Sequence, residues 1–392
     1  MIFDLFHSVS DPVIQGQRLG AKKVFSQLLS QVVLAESLGF DTIWCAESHF
    51  SSETQKQTSV ATIPEFHGEV GINSDSFQLA QTIFQKTRKI HFGTAIHNIV
   101  GGSGGPIASA DRVNTLRFLN QEVLTQPRKV RMGIAAGRFP YQNSPFQITP
   151  RNADEAAVWP NLKRYVFIEA LEIFLRLLSG ETLASKHLKD WVLPPEALSI
   201  EMKKRFPTGY VIEKRWPFEA MTLVPQTSPS DDLEIVLGSH DPLALEWGYQ
   251  FWDLSLFNLS FTAPETIEAL HQQMETRAQK HQRQWNRGRL PRTVMVFIDS
   301  NRKKAYDLAN HVLDQYIEAM RGTAQVPEKT VLLQRALVGD PQEILEQIQP
   351  QGSRGYHSQD RLMLWFEFNQ MDNEVIQSQM KLFFEKVVPQ IP

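Results

Sequence analysis

Glu47, Ser48 and His49 place three polar side chains in a row, directly after the short apolar run Thr42-Ile43-Trp44-Cys45. A histidine beside a carboxylate can move a proton near neutral pH or hold the polar edge of a cofactor. The same triplet also reads as a capped loop with one satisfied histidine, and spacing alone does not separate the two. His7, Glu47, His49 and His97 all follow apolar runs. Together they would allow a metal site, yet no His-x-His or His-Glu-x-x-His pairing fixes one. Cys45, the single cysteine, reads as a small apolar residue facing a barrel interior rather than as a nucleophile.

Two glycine-bearing segments add binding chemistry. Gly101-Gly102-Ser103-Gly104-Gly105-Pro106 lacks the Gly-Lys-Ser/Thr ending of a phosphate loop, which argues against nucleotide hydrolysis. It reads as a mobile lid or a place of close cofactor approach, and equally as a plain loop. Gly238-Ser239-His240-Asp241-Pro242 joins a strand to a helix start, where free backbone N–H groups and the helix dipole suit a phosphate.

These residues need elements to hold them. Phe25, Leu28, Leu29, Val32 and Ala35 keep helical spacing, and Gly39 can end that helix in the left-handed conformation. Strands are expected at 2–6, 42–45, 90–96, 130–134, 234–237, 254–256, 294–298 and 362–366, each followed by a helical pattern. The helix after Gly101–Pro106 is expected from about Ala108 to Val123. Eight such units argue for a closed (β/α)₈ barrel, with a doubly wound open sheet as the rival. No Gly-x-Gly-x-x-Gly follows the first strand, which weakens the dinucleotide-binding form of that rival. Residues 181–230 break the rhythm with six prolines and two tryptophans, and read as an insertion within one domain spanning 1–392. With 42% hydrophobic residues the chain can bury a large core. A net charge of −3 and a pI near 6.4 carry no footprint for nucleic acid. The lone cysteine, the missing basic leader and the missing long apolar run lead to the expectation of a cytoplasmic protein away from membranes.

The stretch Ala35 to Phe50, with Gly39-Phe40-Asp41 leading through Trp44 to Glu47-Ser48-His49-Phe50, resembles the early helix-strand motif of the bacterial luciferase-like flavin monooxygenases. Gly93-Thr94-Ala95-Ile96, Ala110 to Asn114, Gly133 to Gly137 and Met380 to Phe383 resemble later pieces of that family. The resemblance implies a barrel that binds reduced FMN at its carboxyl-terminal mouth and uses oxygen on a small substrate such as an aldehyde. It implies a cis peptide between Ala95 and Ile96 against the flavin, and a flavin phosphate at Gly238, Ser239 and His240. It further implies a separate flavin reductase as electron donor, and a homodimer or a heterodimer with a homologue. Two positions depart from the pattern. Ser48 stands where the family has a catalytic histidine, leaving His49 with Glu47. Ala136 stands where it has a phosphate-contacting arginine, with Arg138 two residues on. A non-catalytic flavin-binding or partner subunit, and a deazaflavin-dependent oxidoreductase, are therefore the alternatives.

Overall fold

A computed structural model describes residues 1–52, 68–69, 71–137, 139–226, 231–258, 262–319, 328–349 and 354–391. Its centre is a ring of parallel strands: β1 (Ile2–His7), β2 (Thr42–Cys45), β3 (His91–Asn98), β4 (Val130–Ala135), β5 (Leu233–Leu237), β6 (Leu254–Leu256), β7 (Arg292–Ile298) and β8 (Arg361–Trp365). Hydrogen-bonded neighbours run β6-β5-β4-β3-β2-β1-β8-β7. A parallel bridge between Asn258 and Arg292 joins β6 to β7 and completes the barrel. The carboxyl half of β7 also pairs with Leu337–Gly339, a short strand the sequence pattern does not reveal.

Helices α1 (Ala21–Leu38), α2 (Ser76–Lys86), α3 (Gly105–Glu122), α4 (Ala153–Leu178), α5 (Pro242–Gly248), α6 (Pro264–Lys280), α7 (Arg302–Ala319) and α8 (Asn373–Lys386) alternate with the strands. Their ends follow local chemistry. Gly39 sits at φ +100 and its amide reaches the Ala35 and Glu36 carbonyls, which stops α1 and turns the chain toward β2. Asp75 accepts from the Phe77 and Gln78 amides and starts α2. Helix α3 begins at Gly105, three residues before the expected Ala108, so Gly105 and Pro106 belong to its first turn rather than to a loop.

Residues 181–226 form a separate feature on α4. Trp191–Leu193 pairs antiparallel with Tyr210–Ile212, and the Glu169 carboxylate receives the Arg215 and Trp216 amides. Trp191 packs between Tyr165 and Trp247, at ring distances of 5.3 and 5.2 Å.

Strand alternation sorts β2 between two cores. Trp44 points into the barrel, where it meets Phe6, Val236, Phe257 and Met363. Gly93 leaves room for its ring, since a side chain there would lie 2.4 Å from it. Ile43 and Cys45 point the other way, into the layer between strands and helices. This corrects the expectation that Cys45 faces the interior. Burial raises the thiol's pKa, in keeping with an unreactive side chain. Below the aromatic plug, Arg361 pairs with Asp4 and Asp41, while Arg131 pairs with Asp41 and Glu234. Charges fill the amino-terminal end, aromatics the middle, and the carboxyl-terminal mouth is left for the polar residues. No helix among the described residues is long and apolar enough to cross a membrane.

Candidate active site at the barrel mouth

Two strands meet where the chemistry-bearing triplet lies. Glu47 follows β2, and His97 lies near the end of β3. Glu47 Oε1 is 2.7 Å from His97 Nδ1 and 3.1 Å from His49 Nε2, and Oε2 accepts from the Ser76 amide at 3.3 Å. His97 Nε2 continues the line to Ser109 Oγ on α3, 3.0 Å away. Burial alone would raise the Glu47 pKa. The adjacent His97, with hydrogen bonds from His49, His97 and Ser76, outweighs it and holds the carboxyl well below the usual range. An ionised Glu47 accepts only, so both imidazoles must present N–H to it. That assigns the proton on His49 to Nε2 and leaves Nδ1 able to take one.

Ser48 is fixed between neighbours. Its amide donates to the Asn73 carbonyl at 2.9 Å, and its hydroxyl accepts from Gln142 Nε2 at 3.2 Å. The glycine-rich turn after β3 forms a wall of the site. A Cβ on Gly102 would lie 2.8 Å from His49 Nε2, and one on Gly101 would lie 2.7 Å from Asn143 Oδ1. The turn is packed against the histidine.

The Ala95–Ile96 peptide is cis. Both residues pack on the Trp44 plug, with Ala46 and Trp365 beside them. Gly238 lies under Ile96: a Cβ there would come within 2.5 Å of Ile96 Cδ1. Its missing side chain thus makes room for the shelf. His240 is turned to the Phe257 carbonyl at 3.0 Å. Asp241 Oδ1 accepts from the Leu243 and Ala244 amides, both at 2.9 Å. The Leu243 and Ala244 amides at this helix start are therefore already taken.

Positive charge comes instead from α4. Arg164 Nε lies 2.7 Å from Asp241 Oδ2 and neutralises it. Lys163 and Arg164 line a cavity of about 490 Å³ together with Ala136, Gly137, Ser239 and Asp241. Ser239 Oγ accepts from the Asp241 amide at 3.3 Å, so its proton is free to donate into that space. Ala136 brings no charge, its carbonyl receiving Asn143 Nδ2 at 2.9 Å. Arg138 lies outside the described residues. The mouth thus joins Glu47, Ser48, His49, Ala95, Ile96, Ala136 and Ser239. Sequence reasoning named His97 only as a strand-end histidine, and missed Ser109, Lys163 and Arg164. Adjacent Lys163 and Arg164 in a helix otherwise rich in apolar residues were the available signal. No group of three or more His, Cys, Asp or Glu among the described residues is arranged to hold a metal ion.

A (β/α)₈ barrel with a proton-handling cluster and a basic cavity at its carboxyl-terminal mouth is the architecture of an enzyme. The family model for luciferase-like monooxygenases matches residues 5–358, and the chain belongs to that family of oxidoreductases. It is similar to the alkanal monooxygenase alpha chain of the Kryptophanaron alfredi symbiont, 23% identical over 96% of this chain and 95% of that one. Monooxygenase RslO1 from Streptomyces bottropensis shares the fold at a TM-score of 0.71 and 17% identity, covering 99% of both chains. The oxygenating constituent of the Pseudomonas putida 3,6-diketocamphane monooxygenase, solved with FMN, shares it at 0.63 and 16% identity, covering 100% of this chain and 99% of that one. An F420-dependent secondary alcohol dehydrogenase shares it at 0.57 and 16%, with the same coverage.

Proposed function

We propose that this chain is a flavin-dependent monooxygenase that uses reduced FMN and oxygen to oxidise a small organic substrate. The observation that carries this is the alignment of three features across one mouth: the basic cavity with Ser239, the Ala95–Ile96 shelf, and the Glu47–His49–His97 cluster. The donors present fit a phosphate-bearing flavin. Ser239, Lys163 and Arg164 would hold the phosphate, with Ala136 and Ser239 bounding its space and Arg138 as a further cation. Ala95 and Ile96 would support the ring. Bound in reduced form, the flavin supplies the electrons that activate oxygen. His49 Nδ1 would accept or return the substrate proton, with Glu47 and His97 holding the ring in the right tautomer. Ser48 cannot replace a histidine as a base, but its hydroxyl can donate to a bound oxygen atom.

The electrons would come from a separate flavin reductase. We further propose one domain over 1–392 with the 181–230 excursion, in a homodimer or a heterodimer with a homologue. Phe118, Leu119 and Val123, 37%, 38% and 66% exposed along the end of α3, give an apolar contact for such a partner. The loss of a base at Ser48 and of a charge at Ala136 supports a second reading as a non-catalytic subunit. The F420-dependent neighbour supports a third, a deazaflavin in the same mouth.

FMN and riboflavin titrations in both redox states test the anchor. Ser239→Ala should weaken FMN about tenfold to a hundredfold, the value of a hydrogen bond to a charged group, and leave riboflavin nearly unchanged. Equal losses for both ligands, or none, would remove the phosphate from this site. Substrate-dependent oxygen uptake with an added reductase and NADH separates enzyme from subunit, and tight deazaflavin binding in place of FMN would favour the third reading.

A further inference from the structure

A second cavity, of about 270 Å³, opens between the carboxyl ends of β1 and β8. Phe6, Leu19, Tyr316, Trp365, Phe368 and Met371 make its walls mostly apolar. It adjoins the shelf, because Ala46 and Trp365 line the cavity and also pack on the same plug as Ala95 and Ile96. One carboxylate, Glu367, faces this apolar space.

Three donors reach the Glu367 carboxyl group. Oε1 accepts from the Ser8 amide at 2.5 Å and from Trp365 Nε1 at 2.9 Å, and Oε2 accepts from Ser8 Oγ at 3.2 Å. No cation balances it among the described residues. His7 Nδ1 is 3.5 Å from Oε1, but that nitrogen already accepts from the Val9 amide at 2.9 Å. Two acceptors therefore face each other, and His7 is neutral in this arrangement. Burial lowers the His7 pKa, against the pull of Glu367, which agrees with the geometry. Oε2 keeps a lone pair for a further donor. A nearly buried carboxyl group with no counter-ion among the described residues, beside an apolar space, is best satisfied by a ligand that brings the cation with it.

We propose that this cavity is the substrate pocket and that it selects compact apolar amines, whose ammonium group pairs with Glu367 while the hydrocarbon part fills the Phe6–Trp365–Phe368 side. The role as substrate pocket rests on the flavin reading above; the binding chemistry does not.

Binding of octylamine, 1-octanol and octanoate to the flavin-free protein at pH 7, measured by calorimetry, tests the proposal. Octylamine should bind about tenfold or more tightly than octanol, and octanoate most weakly. Glu367→Gln should abolish the preference for the amine, and Leu19→Trp, which fills the cavity from its exposed side, should weaken both neutral and cationic ligands. Octanol binding as well as octylamine to the wild type overturns the proposal without needing any variant. So does a preference that survives Glu367→Gln, or binding untouched by Leu19→Trp. If FMN binds, octylamine should join it without displacing it, and mutual displacement would put the amine in the flavin's place. Failure of FMN to bind, with amine selectivity intact, would remove the flavin reading and leave the pocket.

Discussion

At the scale of single residues, Glu47 organises the mouth because one of its oxygens serves two imidazoles. His49→Ala should lower turnover by about a hundredfold, in the range for loss of a positioned acid or base, while thermal stability changes little. His97→Leu should cost both, since it leaves Ser109 and part of Glu47 without a buried partner, worth about 1–3 kcal/mol. His97→Asn, which can still donate to Glu47, should recover much of the rate. Steady-state kinetics paired with melting curves distinguishes these outcomes, and an unchanged rate in His49→Ala with a large loss of stability would make His49 structural. Little of this pairing is written in the local sequence. Glu47 and His97 are separated by 50 positions, and Arg164 and Asp241 by 77. Pairing of β2 with β3 brings the first pair together, and packing of α4 on α5 the second.

At the scale of elements, local chemistry was far more legible. Gly39 ends α1 and Asp75 begins α2 because conformation and capping act within a few residues. The eight strands stand out as short apolar runs between helical patterns, even where β6 has only three residues. Leu337–Gly339 and the 191–193 and 210–212 strands were not read from the sequence. The glycine-rich turn shows a different limit. Glycine marks close approach, but the sequence does not say to what; the structure shows Gly102 against the His49 ring. Gly102→Ala should displace that ring and reduce turnover about tenfold or more, with flavin affinity retained. Slowed turnover with normal substrate and flavin binding is the expected signature. Wild-type turnover in Gly102→Ala would show that the wall can give way.

At the scale of the whole molecule, acid should unfold the protein earlier than its carboxylates alone require. Burial lowers the pKa of His91 and of His271 to about 4 each, despite opposing carboxylates, whereas an unfolded chain protonates near 6.5. As pH falls the unfolded state takes up protons first, so the stability these neutral rings permit is full above about 6.5 and is lost toward 4. Melting temperature should fall across that window, and His271→Gln should flatten the slope; an identical slope would exclude His271 as a source. The barrel's ring has an unequal circumference as well. Between β3 and β4 the ladder runs from Phe92 to Asn98, whereas β6 meets β7 through Asn258 alone among the described residues, by Asn258 N to the Pro291 carbonyl at 3.0 Å and Thr293 N to the Asn258 carbonyl at 3.2 Å. A hoop opens first where its described ladder is shortest. The Asn258 amide should exchange with deuterium well before those of β3 and β4, and equal protection at both places would show the joint to be as firmly shut as the rest of the circle.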